Sequence, residues 1–110
     1  IQRGEPEKKW LKYNENGQLI EKNISKNNIE EWFQYDENGQ IKYSGYNKVN
    51  ERGTVLREGE WLEYSGGYLR VKRNYKDGKE EGEWLWYDIN GNLRETKIFK
   101  NGNLISETRH

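Results

Sequence analysis

The sequence predicts an all-β chain, a single-layer antiparallel meander of β-hairpin repeats, elongated and twisted, and three observations predict it. A Trp-x-x-Tyr phrase followed by a glycine turn and an aliphatic residue occurs four times. Alanine is absent while Gly and Asn are abundant, a composition that disfavours helix. Tyr, Trp and β-branched residues are interleaved with turn signals roughly every ten residues, which favours strands.

The phrase reads Trp10-Leu11-Lys12-Tyr13 with Gly17 and Leu19, then Trp32-Phe33-Gln34-Tyr35 with Gly39 and Ile41. It returns as Trp61-Leu62-Glu63-Tyr64 with Gly67 and Leu69, and as Trp84-Leu85-Trp86-Tyr87 with Gly91 and Leu93. The Trp-to-Trp spacings are 22, 29 and 23 residues. A period of about 22–24 residues marks a repeat array, in which each unit buries its apolar side chains on its neighbours. The whole chain, 1–110, is one array, with units at about 8–28, 29–58, 59–80 and 81–109.

Each unit is expected to hold two strands, the first carrying Trp-x-x-Tyr and the second starting just after the glycine. The loops between them are Asn14-Glu15-Asn16-Gly17, Asp36-Glu37-Asn38-Gly39 and Asp88-Ile89-Asn90-Gly91. Asn-Gly supplies the positive-φ positions of a tight hairpin, and the leading Asp or Asn can bond back to the turn backbone. A second turn type joins units at Lys76-Asp77-Gly78-Lys79, Lys100-Asn101-Gly102-Asn103 and, less clearly, Lys26-Asn27-Asn28. The result is a meander of roughly nine strands.

Strand alternation assigns faces. Leu11 and Tyr13, Phe33 and Tyr35, Leu62 and Tyr64, and Leu85 and Tyr87 share one side, which the pattern makes the core face. Trp10, Trp32, Trp61, Trp84 and Trp86 fall on the other, so either both sides are covered or one is an exposed aromatic strip. In the second strands Leu19 is followed by Ile24, and Leu93 by Ile98 and Phe99. The odd spacing predicts bulges or bends there. Between the second and third Trp lie about six extra residues, within an insertion at 47–59 that contains Arg52 and Arg57. Insertions in repeat proteins gather on one side, often the binding side, although a longer hairpin without a role is the plainer reading.

Leu, Ile, Val and Phe number only 21, about a fifth of the 110 residues. Zero formal net charge and 15 aromatic residues nonetheless argue for a folded chain. Nineteen basic against 19 acidic residues remove the electrostatic case for nucleic acid, and no apolar run reaches membrane-spanning length. Absence of cysteine removes disulfides, thiol nucleophiles and thiolate metal sites. The chain begins at Ile1, so the cytoplasm and an exported form with its leader removed both stay open.

The pattern Gly-x-Trp-x-x-Tyr, Asp-x-x-Gly-x-Leu, then an aromatic before a Gly-Lys turn, is best developed from Tyr75 to Leu93. It resembles the MORN repeat variant found in bacterial proteins, over roughly residues 8 to 109. Only Gly59 and Gly82 keep the glycine two residues before the Trp. The wall-binding repeats of surface proteins and the Tyr-Asp repeats of secreted shells look alike, but the regular Trp three residues before each Tyr favours the MORN variant. The resemblance implies an antitoxin or immunity-type protein that binds and neutralises a partner protein, such as a toxin. MORN repeats elsewhere resemble assembly or membrane-associated modules.

Catalytic chemistry finds no foothold. His110 is the sole histidine and is expected to be a tail residue. Glu30-Glu31 and Glu80-Glu81 are expected to be solvating charges that protect edges, and Gly59 and Gly82 to belong to turns. No metal or cofactor motif is present. The sequence therefore predicts a non-enzymatic protein-binding module. The candidate contact residues are Trp10, Trp32, Trp61, Trp84, Trp86, Arg52 and Arg57, because Trp, Tyr and Arg dominate binding hot spots. Trp86 stands out, since other units carry Lys12, Gln34 and Glu63 at its position. The rival expectations are a cell-surface module that stacks carbohydrate or wall polymer on its rings, and a spacer within a longer array.

Overall fold

The computed structural model describes residues 6–110. They form one open antiparallel sheet whose strands follow chain order. The strands are β1 (Lys8–Tyr13), β2 (Leu19–Lys26), β3 (Ile29–Tyr35), β4 (Ile41–Val49), β5 (Val55–Ser65), β6 (Tyr68–Lys76), β7 (Lys79–Glu80), β8 (Gly82–Tyr87), β9 (Leu93–Lys100) and β10 (Asn103–Arg109). Nine lie on a continuous path, and the two-residue β7 pairs only with β6. The radius of gyration, 16.2 Å, exceeds the roughly 13 Å of a compact domain this long. Among the described residues no second layer covers the sheet, and Val71, 7% exposed, is the only buried hydrophobic side chain.

Two turn designs build the meander. In the first, an Asn or Asp side chain caps the turn it opens. Asn14 Oδ1 accepts from the backbone N–H of Asn16 and Gln18, Asp36 from Asn38 and Gln40, and Asp88 from Asn90 and Asn92. The Asn92 backbone N–H is the chief reason the Asp88 carboxyl is held below its ordinary value. In the second design two residues turn with positive φ, as the right-handed twist of paired strands requires. These are Asn27 and Asn28, Gly66 and Gly67, Asp77 and Gly78, and Asn101 and Gly102. The insertion proves to be a lengthened β4–β5 hairpin. Its tip reuses the first design, with Asn50 Oδ1 accepting from Arg52 and Thr54.

The expected bulges are present at one place in every unit. Opposite the step from Lys12 to Tyr13, β2 passes from Glu21 to Leu19, so Ile20 is the extra residue. Lys42, Arg70 and Arg94 occupy the same position in β4, β6 and β9. Each bulge restores the face that odd spacing would have switched. Leu19 and Ile24 come to share a side, as do Leu93 and Ile98, while Phe99 turns to the Trp side.

Gly59 and Gly82 are not turn residues. With φ of 79° and 73° they form larger bulges in the strands that carry Trp61 and Trp84. Between Arg57 and Trp61 β5 advances four residues while β4 advances two, from Asn47 to Gly45. The carboxylates beside these glycines are likewise more than solvating charges. Glu58 Oε1 accepts from the Asp77 backbone N–H at 2.9 Å, and the Arg57 carbonyl accepts from Gly78 at 2.9 Å. One unit on, Glu81 Oε2 accepts from Asn101 at 2.8 Å and the Glu80 carbonyl from Gly102 at 3.0 Å. Each Glu-Gly pair thus ties the turn of the following hairpin to the strand before it. Lys48 adds an ion pair to Asp77, which holds that carboxyl low and the ammonium high. Glu81→Ala is expected to lower the unfolding free energy by about 1 kcal/mol, the worth of a charge-assisted bond in partial solvent. Urea titration would read it, with Glu81→Gln, which keeps an acceptor, recovering part of the loss.

His110 is not a loose tail. Its backbone N–H donates to the Arg94 carbonyl, and its ring shares a hydrogen bond with Thr96 Oγ1.

Candidate functional site

Register places the Trp residues in one row across the sheet. Trp10 lies opposite Asn23, Asn23 opposite Trp32, Trp32 opposite Gly45, Gly45 opposite Trp61 and Trp61 opposite Arg73. Farther on, Trp84 faces Lys97, and Lys97 faces Glu107. Large rings therefore alternate with smaller or flexible residues on neighbouring strands. That alternation gives each indole room to lie across the backbone beside it.

The rings make a continuous chain. Trp32 and Trp61 have centroids 5.6 Å apart, Trp61 and Tyr75 6.2 Å, Tyr75 and Trp84 5.3 Å, and Trp84 and Phe99 4.9 Å. Trp86 joins it 6.2 Å from Trp84. Tilted and edge-on geometry dominates, as ring quadrupoles prefer. Two indole N–H groups lock to main chain on the strand before: Trp61 Nε1 donates to the Tyr46 carbonyl at 2.8 Å and Trp84 Nε1 to the Asn74 carbonyl at 2.9 Å. Both carbonyls stand opposite the Gly59 and Gly82 bulges, so the glycine two residues before the Trp serves its anchoring. Trp32, which has Glu30 there instead, donates to Glu21 Oε1 at 2.7 Å.

This geometry corrects the assignment of faces. The Leu and Tyr side was expected to be the packed one, yet every ring–ring contact lies on the Trp side. Val71, the buried residue, also lies on that side, opposite Trp86. Lys22 over the Phe33 ring, at 4.7 Å, is what the Leu and Tyr side offers in its place. The Trp side carries the ring contacts of the sheet, and no second layer of described residues stacks above it.

Cations are threaded along the row. The Arg57 guanidinium lies 4.3 Å from the Trp61 ring centre and 5.2 Å from that of Tyr75, and Nη1 donates to the Tyr75 hydroxyl at 2.9 Å. Arg73 sits 5.7 Å from the Trp84 ring centre while bound to Glu63 at 3.1 Å, and Lys97 lies 5.2 Å from that of Trp86. Arg73 and Lys97 have carboxylate partners. Arg57 has none among the described ion pairs. A shallow depression of about 260 Å³ runs between Trp32, Trp61, Arg57 and Arg73.

The candidate residues therefore separate. Trp32, Trp61, Trp84, Trp86 and Arg57 come together in the row. Trp10 is 54% exposed at the sheet edge and lies outside the described ring contacts. Arg52 is at the tip of the β4–β5 hairpin, in a hollow with Asn28 and Lys48, away from the row. Tyr75, Phe99, Arg73 and Gly45 complete the row without having been singled out in the sequence. Gly45 carried a readable signal, since a glycine inside a strand marks a close approach. Beside it, Tyr46 is hydrogen-bonded to the Glu31 carboxylate, which raises its pKa. Among the described residues no group of His, Cys, Asp and Glu is placed to hold a metal ion.

Three stretches, residues 6–27, 31–46 and 80–101, match the family described as MORN repeat variant, and together they span more than half of the chain. They correspond to the β1–β2, β3–β4 and β8–β9 hairpins; the unmatched interval contains the long β4–β5 arm. No curated protein matches the chain. Repeats of this kind form modules that mediate protein or membrane binding, and they are not a family of enzymes.

Proposed function

This chain belongs to the MORN repeat variant family, and on that premise we propose that it is a non-enzymatic module that occludes the surface of a partner protein, in the manner of an antitoxin or immunity protein. The observation that carries this reading is the aromatic row with Arg57 laid over it. Trp, Tyr and Arg concentrate binding energy because they present large area with few rotors to freeze. Here they are fixed before any partner arrives: Trp61 and Trp84 by main-chain hydrogen bonds, Trp32 by Glu21, Arg57 by two rings and a hydroxyl. Preorganisation lowers the ordering cost of association. The sheet measures 47 × 38 Å, so one face exceeds the roughly 800 Å² that a stable interface covers on each partner. The β4–β5 arm at the border of this face would add a second line of contact.

Arg57 is the residue to test, because it is exposed and its removal leaves the rings in place. Arg57→Glu is expected to weaken capture of the partner by at least about tenfold, with the thermal midpoint moved by no more than about 2 °C. The comparison is affinity capture from the native host by wild type and by the variant. A partner retained equally by both would remove the row as the contact surface. Co-sedimentation with wall polymer, unaffected by competing protein, would replace occlusion by the carbohydrate reading.

A further inference from the structure

We propose that the β1 edge accepts an extended acidic segment of a partner protein as an added antiparallel strand. The inference rests on the sheet's border, not on the aromatic row, and the two stand or fall separately.

An open meander leaves two edges, and every residue of β1 and β10 is exposed. Proteins usually blunt such edges with bulges, proline or charge. The β10 edge is blunted by shape. Leu104 pairs with Phe99 and Ser106 with Ile98, so Ile105 is an extra residue that bends the edge strand itself. The β1 edge is straight. Lys8 to Lys12 pair one for one with Ser25 to Glu21, and the bulge that ends this ladder lies on β2. Pro6 precedes the strand and does not interrupt it.

Among the described residues charge alone guards β1, and charge selects the guest. Lys8, Lys9 and Lys12 enter none of the described ion pairs. A second copy paired antiparallel about Trp10 is disfavoured, because that register sets Lys8 against Lys12. Like charges directly opposite one another destabilise a strand pair. An acidic strand meets no such barrier. On one face β1 presents Lys8, Trp10 and Lys12, and on the other Lys9, Leu11 and Tyr13, with Trp10 54% and Tyr13 55% exposed. Asn23, not a second ring, lies opposite Trp10 on the inner side. The complementary strand carries acid, apolar, apolar, acid, acid against Lys12, Leu11, Trp10, Lys9 and Lys8. Main-chain bonds supply affinity in such strand addition and the alternating side chains supply selectivity.

The probe is an end-capped peptide with Glu-Val-Val-Glu-Glu at its centre, compared with Lys-Val-Val-Lys-Lys, titrated into the whole chain while backbone amides are followed by NMR. Shifts confined to Lys8–Tyr13 and its β2 neighbours are expected, with the acidic peptide bound about tenfold tighter than the basic one. Lys8→Glu together with Lys12→Glu should reverse that preference while the melting curve stays in place. Equal binding of both peptides, shifts centred on the Trp32–Trp84 row, or self-association through β1 in sedimentation would each overturn the proposal.

Discussion

Gly45→Ala is expected to cost about 3 kcal/mol of unfolding free energy, a large loss for one added methyl group. Gly45 lies opposite Trp32 on one side and Trp61 on the other. A Cβ there would fall within 3.0 Å of Cδ2, Cε2 and Cε3 of the Trp61 indole. Its φ is not in the left-handed region, so the demand for glycine is one of space. The indole would have to leave, and with it the Trp32 and Tyr75 contacts, the seat under Arg57 and the bond to the Tyr46 carbonyl. Urea titration of a double-mutant cycle isolates the cause: in a Trp61→Ala background Gly45→Ala should cost under about 0.5 kcal/mol. A Gly45→Ala protein as stable as wild type would refute the close approach.

Trp84→Ala is expected to cost about 3 kcal/mol, while Trp10→Ala should cost about 0.5 or less. The two residues occupy the same position in the repeat phrase, so the difference measures what surroundings add. Trp84 touches Tyr75, Trp86 and Phe99 and donates to the Asn74 carbonyl, whereas Trp10 stands beside Asn23, half exposed at the sheet edge. Trp84→Phe separates the parts: it keeps a ring in the row and loses the indole bond, worth about 1 kcal/mol. Denaturation curves with equal m-values would make the comparison clean. Equal costs at Trp10 and Trp84 would mean that the row is not a cooperative unit.

Local patterns were legible because they depend on neighbours in sequence. Asn14, Asp36 and Asp88 announce turns that their own side chains close. The odd step from Leu19 to Ile24 announces a bulge, since a period of two admits no other way to keep both residues on one side. Asn50-Glu51-Arg52-Gly53 carried the same turn signal as Asn14-Glu15-Asn16-Gly17, so the ordered tip of the insertion was readable too. What alternation could not weigh was the two faces against each other. Leu and Tyr share a side on pattern alone, but whether rings on the opposite side touch depends on which residue each strand sets between them.

Class, repeat, hairpin order and the two sets of side chains are legible in the sequence, because each follows from period and turn chemistry within about 25 residues. Tertiary structure alone placed the ring contacts on the Trp side. It also decided that Glu58 and Glu81 close turns 19 and 20 residues away, and that Arg57, not Arg52, lies on the rings. The physical reason is register. A bulge of one or two residues selects the side chains that meet across strands, and that selection sets Gly45 between two tryptophans and leaves β1 straight at the border.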